Sequence, residues 1–98
     1  MSEKLRPYGR AVQSLMQEKG FTIPSLGKAI WALGYPGPKN EKSAIEAVRY
    51  SITQAERVHH AFTVYVGRVM DLSEDEMMEL YRASRETGEQ YLTEQPNH

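Results

Sequence analysis

Two prolines and a glycine within the six residues Tyr35-Pro36-Gly37-Pro38-Lys39-Asn40 constrain this chain more than any other feature. Proline lacks the N–H that a helix or a central strand requires, and it pushes the residue before it out of the helical region. No regular element can therefore run through this stretch. The break lies about a third of the way along 98 residues, a length that suits one domain. Hydrophobic residues make up 40% and charged residues 26%, as in an ordinary soluble globular protein, so extended disorder is not expected away from the ends. There is no cysteine, which removes disulfides and thiolate metal sites.

The apolar periodicity on both sides of the break is helical. Pro7 suits a first turn, where its missing N–H would have no partner in any case. Tyr8, Val12, Leu15 and Met16 then share one face, which predicts a helix over 7–19. Gly20 supplies a left-handed cap, and Phe21 is the apolar residue that folds back beyond it. A second helix begins after Thr22 as N-cap, tolerates Pro24 in its first turn, buries Leu26, Ile30 and Leu33, and ends at Gly34. Gly27 inside it costs about 1 kcal/mol relative to alanine, and a close approach of another helix would account for that cost. Trp31 lies off the buried stripe.

After the break, Asn40 caps a third helix over 41–53 with Ile45, Val48 and Ile52 inward. Residues 54–60 read as a connection. A fourth helix over 61–70 points Phe62, Val66 and Val69 inward; the β-branched and aromatic run Phe62-Thr63-Val64-Tyr65-Val66 leaves a strand, and a wing hairpin over 51–66, as the alternative. Ser73-Glu74-Asp75-Glu76 is a capping box that opens a fifth helix, with Met77, Leu80 and Tyr81 inward and Gly88 as its stop. The expectation is an all-α, compact five-helix domain over 1–87, followed by an acidic, flexible tail over 88–98.

Net charge is −1, but it is unevenly distributed: residues 1–70 carry +5 and residues 71–98 carry −6. A basic body with an acidic end is a pattern met in proteins that bind polyanions. No apolar run reaches the roughly 20 residues that span a bilayer, so no membrane association is expected. The first residues have no apolar core of a leader peptide, which places the expected protein in the cytoplasm.

The segment Gly9-Arg10-Ala11-Val12-Gln13-Ser14-Leu15-Met16-Gln17-Glu18-Lys19-Gly20, then Phe21-Thr22 and Leu26-Gly27, the pair Ile45 and Val48, and above all Val66-Gly67-Arg68-Val69-Met70-Asp71-Leu72-Ser73-Glu74-Asp75-Glu76 resemble the lambda-repressor/Cro-like (Xre) helix-turn-helix family. The resemblance covers residues 9–83. It departs from the family in the longer, proline-bearing connector between the second and third helices, and around Arg49 and Ser51, where the family often has glutamate and glycine. It implies a transcriptional regulator of repressor type that binds double-stranded DNA, usually as a homodimer, with the third helix in the major groove; the small size, with no effector domain, suggests origin in a phage or mobile element. Arg10, Lys28, Lys39, Lys42, Arg49 and Arg57 are the cations available to neutralise phosphates. Lys42 or Arg49 suits guanine, Ser43 suits several bases, and Glu46 suits the amino group of cytosine. Glu46 can instead pair with Lys42 or Arg49 one turn away.

Two other readings use the same helices. One is a protein-interaction module. The other is an antitoxin that binds DNA and engages a protein partner through its C-terminal segment, where Tyr81, Tyr91 and Leu92 also offer an apolar patch for a dimer. No enzyme, cofactor or metal site is expected. The chain has no glycine-rich phosphate loop, and the adjacent His59 and His60 lack the i, i+3 or i, i+4 spacing of a helical ligand pair.

Overall fold

In a computed structural model, which describes residues 5–55 and 58–94, the chain forms α1 (Pro7–Lys19), α2 (Ile23–Ala32), α3 (Glu41–Thr53), α4 (His60–Val69) and α5 (Glu74–Glu94), with no strand among the described residues. The local signals act where the sequence puts them. Gly20 ends α1 at φ 82°, and the Phe21 N–H turns back to the Met16 carbonyl at 2.8 Å. Thr22 and Ser25 form a reciprocal capping box at the start of α2, at 2.9 and 3.1 Å. Asn40 Oδ1 accepts from the Ser43 N–H at 2.8 Å at the start of α3, and Ser73 and Glu76 close the box at the start of α5. Each cap satisfies backbone donors that the helix itself leaves free.

α1 packs on α3 and α5, α2 on α3 and α4, and α4 on α5, so the five helices close a ring in the order α1, α3, α2, α4, α5. Tyr8, Val12, Leu26, Ile30, Val48, Val66 and Leu80 fill its centre, all inaccessible to solvent. α2 crosses α3 at close range. A Cβ at Gly27 would lie 2.5 Å from the Ile45 Cα and 2.9 Å from its nitrogen, so only glycine permits it. The helix-propensity cost of Gly27 is thus offset by close packing.

The core also carries polar ties between distant segments. The Tyr8 N–H, free because it lies in the first turn of α1, donates to Thr87 Oγ1 at 2.9 Å; that hydroxyl donates in turn to the Ala83 carbonyl. Tyr8 Oη and Thr63 Oγ1 share a hydrogen bond of 3.0 Å. Burial pushes the Tyr8 phenol far above its ordinary pKa despite that bond. Among the described residues no buried side-chain polar atom lacks a partner.

Four expectations are corrected. Leu33 is half exposed, because α2 ends at Ala32 and Gly34, at φ 88°, turns the chain so that Tyr35 packs on the core in its place. The strand alternative for 62–66 falls: the segment is helical, since Phe62 and Val66, one turn apart, both enter the core and tertiary burial overrides β-propensity. Gly88 does not stop α5, which continues to Glu94. One glycine costs about 1 kcal/mol in a helix already nucleated, and nothing there demands a left-handed residue. Residues 88–94 are therefore helix and not a loose tail, while residues 95–98 lie outside the described ones. Tyr81 is not part of a free apolar patch: it is half-buried and stacks on His60, with ring centroids 5.3 Å apart.

Candidate functional site

The surface of interest is built by α2, α3 and the connector between them. Close contact at Gly27 and Ile45 sets how the two helices cross, and the inward set Ala44, Val48 and Ile52 turns the opposite side of α3 to solvent. Lys42, Glu46, Arg49 and Tyr50 occupy that outer side and are all exposed, Tyr50 by 56%. Ser43 is half-buried in the first turn, where its N–H is taken by the Asn40 cap. Lys39 is exposed immediately before α3, and Lys28 is exposed on α2 next to the crossing point.

The expected cationic ridge is not uniform. Arg49 Nη1 lies 2.7 Å from Glu46 Oε2, one turn away on the exposed face, so the second half of α3 carries a neutral pair. Glu41 in the first turn complements the positive end of the helix dipole and adds another negative charge. Over the whole of α3, Lys42 and Arg49 are balanced by Glu41 and Glu46. Among the described residues Lys28, Lys39 and Lys42 form no ion pair. Lys39 and Lys42 flank the start of α3, where free backbone N–H groups also attract anions, and Lys28 lies on α2 next to Gly27, which packs against Ile45. Arg10 stands apart from this group: it lies on α1 and donates to the Leu5 carbonyl at 2.9 Å. Arg57 lies outside the described residues.

Aromatic packing braces the connector. Tyr35 meets Phe62 edge-on at 5.7 Å between ring centroids and Tyr65 at 5.2 Å, which ties the proline-rich segment to α4. Burial, with the neighbouring Tyr65 second, raises the Tyr35 pKa. The sequence marked 35–40 only as a break. The signal that it is an anchored bend lies in the aromatic residue next to Pro36, together with aromatic residues on α4. Just before the same bend, at the C-terminal end of α2, Trp31 and Leu33 remain exposed, by 36% and 50%.

Among the described residues there is no group of three or more histidine, aspartate or glutamate side chains placed to hold a metal ion, and no helix long and apolar enough to cross a membrane. The exposed lysines give this end of the surface positive charge and hydrogen-bond donors. Comparison of the chain with protein-family models, with curated proteins and with solved structures gave no match in any of the three.

Proposed function

We propose that this protein is a sequence-specific double-stranded DNA-binding regulator of the lambda-repressor/Cro-like helix-turn-helix type, with α2 and α3 as the helix-turn-helix and α3 entering the major groove. The observation that carries this reading is that Lys39 and Lys42 at the start of α3, and Lys28 next to Gly27 on α2, are exposed and without an ion pair among the described residues, beside an α3 whose outer face is open. Lysines placed there neutralise phosphates on either side of a groove, and the helix N-terminus adds its own attraction. Arg49 and Glu46 are then the base-reading pair. An exposed i, i+3 ion pair is worth only about 0–1 kcal/mol, so it opens readily when a guanine or cytosine edge offers better geometry. Two copies reading two half-sites would supply the remaining affinity, with the exposed Leu92 end of α5 available for their contact.

The test is selection of duplexes from a random pool, followed by titration of the selected and of random duplex across a salt series. The expected result is binding that weakens steeply with salt, with each of Lys28→Ala, Lys39→Ala and Lys42→Ala lowering the slope by about 1. Arg49→Ala should cost about 1–3 kcal/mol on the selected duplex and little on random duplex. Parent-like binding by all four variants would overturn the reading.

A second reading, a protein-interaction module, is favoured by the charge balance along α3 and by exposed Trp31, Leu33 and Tyr50 on α2, its C-terminal end and α3. It predicts no salt-dependent affinity for random duplex.

A further inference from the structure

We propose that the groove between α1 and the first half of α5 is a docking site for a basic amphipathic helix of a partner protein. The groove has a volume of about 310 Å³ and an apolar floor in which Ala11 and Leu15 are partly exposed above the fully buried Leu80, with Glu18, Asp75 and Glu79 around it. Ala11 and Leu15 are only partly covered by the fold. A partly open apolar slot between two helices, large enough for an aliphatic side chain, suits an anchor presented from a third helix.

The charges say what flanks that anchor. Lys19 neutralises Glu76 at 3.1 Å and Arg82 neutralises Glu79 at 3.0 Å. Glu18 and Asp75 have no cation among the described residues. Asp75 is explained by its place in the first turn of α5, where carboxylates complement the dipole. Glu18 has no such explanation. It lies in the last turn of α1, the end at which the dipole disfavours a carboxylate, and it shares the groove with the acidic start of α5. The groove thus sets two carboxylates without an ion pair among the described residues, Glu18 and Asp75, beside a partly exposed apolar floor, and lysine or arginine residues flanking an apolar anchor would pair with the first and cover the second. Nucleic acid and anionic lipid carry the wrong sign for this rim. α2 and α3 contribute no residue to the groove, so the inference stands apart from the DNA-binding reading.

The experiment titrates the isotopically labelled chain with a capped synthetic helix of about 15 residues that has leucines at i, i+4 and i+7 and lysine or arginine on either side of them. Amide resonances should shift within 11–18 and 75–80. Leu15→Gln, and Glu18→Gln combined with Asp75→Asn, should each weaken binding by about tenfold or more, while Glu86→Gln, a charge change elsewhere on α5, should leave it unchanged. The spectrum of each free variant reports whether it is folded. Three results would overturn the proposal: no shifts at millimolar peptide, shifts spread over the acidic surface of α5 with equal loss in Glu86→Gln, or concentration-dependent shifts in the groove without peptide, which would give the site to a second copy of the chain.

Discussion

The α2–α3 crossing and the α1–α5 seam are both pairs of packed helices, but they are held by different physics and present opposite charge. At the crossing, backbone approaches backbone through Gly27, and among the described residues no buried hydrogen bond joins the two helices and the nearby lysines Lys28 and Lys42 have no ion pair. At the seam, the Tyr8 N–H and the Thr87 hydroxyl form a buried tie and the rim carries carboxylates. The first junction depends on the absence of a side chain, whereas the second depends on the presence of one hydroxyl. The difference teaches where each is vulnerable: the crossing to added volume, the seam to a lost hydrogen bond or a lost charge.

The strongest way to break this contrast is Gly27→Val. Its branched Cβ would force α2 away from Ile45, and a loss of about 3 kcal/mol is expected in urea unfolding. A neutral result would mean that the crossing is not close-packed. Next in size is Thr87→Val, isosteric but unable to accept from the Tyr8 N–H, with an expected loss of about 2 kcal/mol. Tyr8→Phe, which leaves the Thr63 hydroxyl without its partner, should cost about 1 kcal/mol by the same measurement. Gly88→Ala should do the reverse. A Cβ there meets nothing within 4 Å, so a gain of about 0.8 kcal/mol is expected, and a loss would mean that α5 does not continue past Gly88.

The smallest effect is read in its pH dependence. The Ser73 N–H first, and Lys19 second, hold the Glu76 carboxyl below its ordinary value of 4.5. A group with a lowered native pKa contributes stability that is full above the unfolded value and is lost as pH falls through the native one. The parent should therefore lose stability on acidification below about pH 4.5 more steeply than Glu76→Gln. Superimposable acid limbs would remove Glu76 from the account of the seam.

Most of the helical framework was legible because its signals are local. Thr22, Asn40 and Ser73 cap within three residues, Gly20 needs only its own φ, and Pro36 and Pro38 forbid helix by their covalent structure. Lys28, Lys39 and Lys42 were legible as exposed cations for the same reason, since each lies off an apolar stripe. The pairing of Arg49 with Glu46 stood open between two partners until side-chain geometry chose one. The groove rim was not legible at all: Glu18 and Asp75 are far apart in sequence, and only the packing of α1 on α5 brings both to one groove.

The sequence by itself determined where α1, α2, α3 and α5 start, most of the residues they bury, and that residues 35–40 break the chain, because capping, periodicity and proline act over a few neighbouring residues. Only the tertiary structure decided that 62–66 is helix, that Tyr35 replaces Leu33 against the core, and that the five helices close into a ring. Those outcomes depend on contacts between residues distant in the chain, where burial outweighs local preference.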